Sequence, residues 1–203
     1  MNPTALKAAQ RAGFPREKIL GVWWSGAEED VIPAGDAAKG YFAAGFNLPG
    51  TNFPVMQDLL KHVYKAGKGE MEDKSRIGSI YHTRGMVAGI VTTEAIRNAQ
   101  ARFGKGKPVT GEQMRWGIEN LNITDARLKQ LGAVGLMSAL KVSCLDHEGG
   151  GAVKFMQWDG RKWNVVTDWI STDQSIVRPM IETSAAQYAK EKSITPRDCS
   201  KEK

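Results

Sequence analysis

The chain has 203 residues, enough for one large domain or two small ones, and its 41% hydrophobic and 25% charged residues are typical of a protein with a buried core. The net charge is +6, but basic residues are scattered among acidic ones. This pattern indicates a solvated surface and argues against nucleic-acid binding. No apolar stretch reaches the ~18 residues of a membrane span, and we expect no signal peptide because the residues after Met1 lack its basic and apolar regions.

The first quarter of the chain predicts a helix and two strands. The helix is expected to begin at Pro3, since proline suits a first helical turn, and to end at Gly13. The apolar runs at residues 19–24 and 40–47 predict buried strands on either side of an acidic, turn-rich loop at 26–35. This order indicates a parallel or mixed α/β sheet, in which ligands lie at the carboxyl ends of the strands.

In the middle of the chain, apolar residues recur at helical spacing. Apolar residues between 55 and 63 predict a helix capped near Thr51 or Asn52 and ended by Gly67, and residues 81–103 predict a long helix. A short helix over 110–121 begins with Thr110 and Gln113 at the spacing of a capping box.

The last quarter predicts a β-hairpin and a helix. Two apolar segments, 152–158 and 163–169, flank Asp159-Gly160, a pair that supplies the positive φ angles of a tight turn. Apolar residues between 176 and 188 recur at helical spacing, and the end of the chain from residue 193 is polar.

The segment with His147 is the most metal-like in the chain, with acids on both sides and three glycines after it. A metal site needs three or four converging ligands, however, and the chain has only three histidines. We therefore expect a flexible connector in which His147 is hydrogen-bonded locally, and no metal. The glycine patterns of a nucleophile elbow, a P-loop or a dinucleotide fold are missing, so we expect neither an enzyme nor a cofactor.

Small-molecule binding has better candidates. Trp23, Trp24, Ser25 and Glu28 follow the first predicted strand, where pockets are commonly lined, and Tyr81 lies at the mouth of the long helix. The alternative is that one indole faces the core, the acids are solvated, and the phenol packs on the core with its hydroxyl in water.

These elements, in this order, resemble the carboxy-terminal half of type I periplasmic solute-binding proteins of the leucine/isoleucine/valine-binding ABC-transporter family. The resemblance covers essentially the whole chain. It is carried by the segments MNPTALKAAQRAGF, ILGVWWSGAEEDV, AAKGYFAAGF, YHTRGMVAGIVTTEAI, DHEG and QWDGRKW.

The resemblance implies part of a two-lobed α/β fold, with parallel sheets flanked by helices, a carboxy-terminal hairpin and a tail helix. Residues 1–48 would belong to the second lobe and 49–150 to the first. Residues 151–171 would form a hairpin that crosses back to the second lobe, and 172–203 would form the terminal helix and tail.

The resemblance also implies a function. Members of the family clamp a solute between their lobes and present it to a permease in the inner membrane, so the chain would be a periplasmic solute-binding component, or a fragment of one, for branched-chain amino acids or a related small organic acid or amide. A full-length form would carry a signal peptide. The alternative is a remnant that binds no solute and self-associates through its incomplete lobe.

Two residue positions bear on this implied function. The acid that holds a ligand's ammonium in amino-acid binders falls on Trp23, which favours an aromatic or aliphatic acid or an amide as ligand, although Glu28 or Glu29 could substitute. The sequence spacing alone does not decide whether Cys144 and Cys199 are free thiols or form a disulfide. The periplasmic setting implied by the resemblance favours the disulfide.

Overall fold

The computed structural model describes residues 1–201 as a mixed α/β fold, which confirms the expected class. The tail predicted for 172–203 therefore includes two residues that lie outside the described range. The helices are α1 (Asn2–Arg11), α2 (Glu28–Val31), α3 (Pro54–Leu59), α4 (Ile80–Phe103), α5 (Gly111–Glu119), α6 (Asp125–Gln130) and α7 (Gln174–Glu191). The strands are β1 (Leu20–Gly21), β2 (Phe42–Gly45), β3 (Asn122–Ile123), β4 (Leu140–Lys141), β5 (Lys154–Trp158) and β6 (Trp163–Val165).

The main sheet has four strands in the order β1-β2-β5-β6. β1 and β2 are parallel, with Leu20 opposite Phe42, whereas β2 and β5 are antiparallel, with Ala43 opposite Met156. β5 and β6 form the predicted hairpin around the turn at Asp159, and β3 and β4 pair as a separate antiparallel ribbon. The hairpin thus joins the amino-terminal strands in one sheet.

The strand predicted over 19–24 is shorter than its apolar run. It ends at Gly21, and Trp23–Ser25 form a 3₁₀ turn closed by hydrogen bonds from the Ser25 N–H and hydroxyl to the Val22 carbonyl. Gly21 is required there because a Cβ at this position would collide with the Tyr41 hydroxyl. This turn places the two indoles beyond the end of the strand.

The helix predicted after Thr51 begins three residues later. Its cap is Phe53, with Pro54 in the first turn, because a residue before proline favours the extended conformation and proline's missing N–H costs nothing at a helix start. The chain then widens into a π-helical segment over Leu60–Tyr64, and Gly67 follows with φ of +68°. By contrast, the predicted start at Thr110 is confirmed, since Thr110 and Gln113 form a capping box.

Two hydrophobic clusters form the core. The first joins residues of α1, β2, β5 and β6, among them Leu6, Tyr41 and Met156. The second lies between α4, α5, α6 and the β3–β4 ribbon and includes Ile123 and Leu136. Phe53 packs against both clusters.

The helix α7 has no buried residue, although the apolar spacing that predicts it is correct. Ile176, Met180 and Tyr188 are each more than half exposed. Within residues 1–201, no helix combines the length and apolar character needed to cross a membrane.

Candidate ligand-binding site

The two tryptophans after β1 form an exposed aromatic surface. The Trp23 and Trp24 rings are stacked with their centroids 4.0 Å apart, and Phe46, just after β2, meets Trp23 edge-on at 5.8 Å. Trp24 is 68% exposed. Phe46 follows a strand parallel to β1, so the surface lies at the carboxyl end of the parallel pair.

Arg84 connects this surface to the start of α4. Its guanidinium carbon lies 4.7 Å from the Trp23 ring centroid and 5.1 Å from that of Tyr81, and Nη2 donates to the Trp23 carbonyl at 3.4 Å. Tyr81 is 44% exposed. The structure therefore brings two predicted residues, Trp23 and Tyr81, together around a cation that was not predicted. The i, i+3 spacing of Tyr81 and Arg84 on a predicted helix was a usable signal.

Ser25 lies beside the aromatic surface, but its hydroxyl is engaged within the protein. Oγ accepts a 2.8 Å hydrogen bond from the Tyr41 hydroxyl and donates to the Val22 carbonyl at 2.9 Å. Tyr41 is only 1% exposed, and burial raises the pKa of its phenol. Ser25 therefore fixes the turn that carries the two indoles.

Glu28 is likewise engaged. Its Oε2 accepts a 2.9 Å hydrogen bond from the Ile80 N–H at the start of α4, while burial raises the pKa of the carboxyl. The neighbouring Glu29 pairs with Arg76 at 2.8 Å, and Asp30 accepts from the Ala27 N–H at 3.1 Å. The acids near the aromatic surface thus have partners inside the chain.

An apolar cleft opens beside Phe46. Its volume is about 270 Å³, and its walls include Val87 and Val91 of α4, one and two turns after Arg84, together with Met137 and Ala152. Phe46 belongs to both the cleft and the aromatic surface. The apolar cleft and the aromatic surface that contacts Arg84 are therefore adjacent.

The cysteines lie on another part of the molecule. Cys144 and Cys199 form a disulfide, which confirms that expectation, and their Cα atoms are 5.7 Å apart. Nearby, His147 Nε2 lies 3.2 Å from the Glu119 carboxylate, so its partner is distant in sequence and not the local one expected. Across residues 1–201, no three metal-ligating side chains are grouped in a way that could hold an ion.

The sequence matches the family model described as "Periplasmic binding protein" over residues 1–162. The chain belongs to this family. A comparison with curated proteins gave no match.

Solved structures agree with this assignment. A protein from the Pseudomonas fluorescens group, described as an ABC transporter permease, is 47% identical with a TM-score of 0.93, and the match covers 98% of this chain and 48% of that one. A branched-chain amino acid ABC transporter protein from Thermus thermophilus with bound valine is 24% identical with a TM-score of 0.61, over 86% of this chain and 44% of that one. A leucine-binding protein from Thermotoga maritima is 17% identical with a TM-score of 0.56, over 85% and 42%. The chain thus spans about half the length of these proteins, and the latter two show the fold alone.

Proposed function

We propose that the chain is part of the solute-binding component of an ABC importer, which takes a branched-chain amino acid or a related small organic acid or amide outside the inner membrane and delivers it to a permease. The observation that carries the proposal is the exposed Trp23–Trp24 surface at the carboxyl end of the parallel strands, in a chain of the periplasmic binding protein family. The family binds solutes rather than transforming them.

The arrangement of the cores supports a two-lobed organisation. Residues 1–48 and the hairpin within 151–171 contribute to one hydrophobic cluster, and most of the second cluster comes from residues between 90 and 142. We assign the first group to one lobe, residues 49–150 to the other, and 172–203 to the terminal helix and tail. Phe53 packs on both clusters, and we assign the hinge between the proposed lobes to its vicinity.

Within this proposal, Trp23, Trp24 and Tyr81 contact the solute. Trp24 offers the largest free area, since it is 68% exposed whereas Trp23 is half-buried. Ser25 and Glu28 stay predictions as ligand contacts, and their hydrogen bonds to Val22 and Ile80 support a role in holding the turn and α4 in place.

The proposal is tested by calorimetric titration of leucine, valine, 4-methylpentanoate and phenylacetate into the complete gene product that contains residues 1–203. Saturable binding of at least one, weakened by Trp24→Ala, is expected because removing a stacking surface removes buried area. Binding of none of them contradicts the proposal. Tight leucine binding that is unchanged by Trp23→Ala would contradict the preference for an acid or amide.

A second candidate function, self-association without solute binding, is favoured by α7. Its face with Val177, Met180, Ile181 and Tyr188 lines an open apolar groove, and Met180 is 67% exposed. Such a face commonly packs against a second chain. Light scattering distinguishes the two candidates: a dimer that Met180→Glu converts to monomer, in a protein that binds no panel member, supports association.

A further inference from the structure

Arg84 is a half-buried cation whose neighbours are two rings, a carbonyl group and, through space, the carboxylate of Asp30. Trp23 and Tyr81 lie against the guanidinium, and the Trp23 carbonyl accepts a long hydrogen bond of 3.4 Å. None of the ion pairs within residues 1–201 includes this side chain. A guanidinium has five N–H donors, so most of those on Arg84 are uncommitted.

Two other arginines of the chain bind carboxylates directly. Arg127 holds Glu94 through hydrogen bonds of 2.7 and 2.8 Å, and Arg76 meets Glu29 at 2.8 Å. The acid shown to act on Arg84 is Asp30, whose carboxylate also accepts a hydrogen bond from the Ala27 N–H at 3.1 Å. Within residues 1–201 Arg84 therefore forms no direct ion pair, while Asp30 acts on it through space and Glu148 lines the adjoining cleft.

Resting on the proposed function, we infer that the solute is an organic anion, and that Arg84 binds its carboxylate while the aromatic surface and the adjoining cleft take an apolar body. A carboxylate fits the planar fork of a guanidinium and compensates the partial loss of water around the charge. The two rings hold the guanidinium in place, which lowers the entropic cost of binding.

The apolar body has a defined place. Trp24 and Arg84 lie against Trp23, so the larger free surface is that of Trp24, and Phe46 extends it into the cleft of about 270 Å³. A branched or aromatic hydrocarbon group suits the apolar walls of such a cleft. A ligand with only an ammonium group would meet Arg84 as a like charge and be rejected.

The test compares isosteric ligands on the complete gene product. Phenylacetate and phenylacetamide, and 4-methylpentanoate and 4-methylpentanamide, have the same shapes but differ in charge. We expect the wild type to prefer the acids, and Arg84→Met to weaken acid binding on the order of 10- to 100-fold while changing amide binding little. Arg84→Lys should retain part of the preference, because charge remains without the planar fork.

A matched control lies on the same helix. Arg102 contacts the rings of Trp116 and Phe103 at 4.8 and 5.5 Å, and Arg102→Met should leave acid and amide binding unchanged. Equal weakening of both ligand types by Arg84→Met indicates a purely structural role and overturns the inference, as does wild-type binding of amides as tightly as acids. If no ligand binds at all, the proposed function itself fails.

Discussion

The Arg197 guanidinium donates a 2.7 Å hydrogen bond to the Glu119 carboxylate across 78 residues of sequence. The Glu119 side chain is only 7% exposed. Burial acts to raise the pKa of its carboxyl, but Arg197 and Arg115 hold that pKa below its ordinary value. The Cys144–Cys199 disulfide lies beside this ion pair, so the tail is joined covalently to the segment after β4 and electrostatically to the end of α5.

Removing the disulfide should destabilise the protein. It joins cysteines 55 residues apart, and on the loop-entropy model the double substitution Cys144→Ser, Cys199→Ser lowers the free energy of unfolding by about 4 kcal/mol. Urea denaturation measures the change. Dithiothreitol should lower the stability of the wild type to a similar level and leave the double variant unaffected. Two titratable thiols in the denatured, unreduced wild type would contradict the prediction.

Local signals predicted the elements whose structure is decided locally. Asp159-Gly160 predicted the hairpin turn, where the Asp159 carboxylate accepts from the Arg161 and Lys162 N–H groups and Gly160 has φ of +102°. The capping box at Thr110 fixed the start of α5 for the same reason, since all of its hydrogen bonds join residues within one turn.

The features that local patterns did not predict depend on contacts between segments that are distant in sequence. The strand predicted through Trp24 ends at Gly21 because a turn capped by Val22 follows it, and the packing of Tyr41, just before β2, selects glycine there. Arg84 reaches Trp23 across 61 residues, a proximity that no local pattern contains. The β3–β4 ribbon was missed because strands of two residues are too short for a periodic signal.

Gly117 should tolerate no side chain. In α5, a Cβ at Gly117 would collide with the Ala95 carbonyl oxygen of α4, so Gly117→Ala forces the two helices apart and should lower the free energy of unfolding by roughly 1–3 kcal/mol. Gly89, on α4, has open space around its Cα. Gly89→Ala should therefore raise stability by about 0.5–1 kcal/mol. Thermal unfolding of both variants checks this, and shifts in the same direction would be inconsistent with the packing.

The Glu94–Arg127 pair should stabilise the protein in a pH-dependent way. Hydrogen bonding from Arg127 holds the pKa of Glu94 below its ordinary 4.5, and the Glu94 side chain is 12% exposed. Because the folded pKa is depressed, the stabilisation is present above pH 4.5 and is lost as the pH falls through the folded pKa. Glu94→Gln should cost about 1 kcal/mol at pH 7.

Urea denaturation of the Glu94→Gln variant and the wild type at several pH values measures this. The difference between the two proteins should shrink as the medium is acidified below pH 4.5. In an Arg127→Ala background the same substitution should have a smaller effect, since only the longer 3.8 Å contact of Glu94 with Arg97 remains. A difference that is constant with pH would show that the pair contributes no ionic stabilisation.

The contribution of Glu28 to stability should have the opposite pH dependence to that of Glu94. Burial raises the pKa of its carboxyl above the ordinary 4.5, so the folded protein binds this proton more tightly than the unfolded chain does. The resulting stability is fully present below pH 4.5 and is lost as the pH rises through the folded pKa. Gln at this position carries no charge, and its amide oxygen can still accept from the Ile80 N–H that Glu28 now binds at 2.9 Å.

The stability of Glu28→Gln relative to the wild type should therefore increase as the pH rises from 4 to 7, measured by urea denaturation. Glu28→Ala distinguishes charge from hydrogen bonding: it also removes the buried charge but leaves the Ile80 N–H without its acceptor, so it should be less stable than Glu28→Gln at every pH. A Glu28→Gln variant that loses stability relative to the wild type as the pH rises would mean that the ionised carboxylate stabilises α4, contrary to the burial of this side chain.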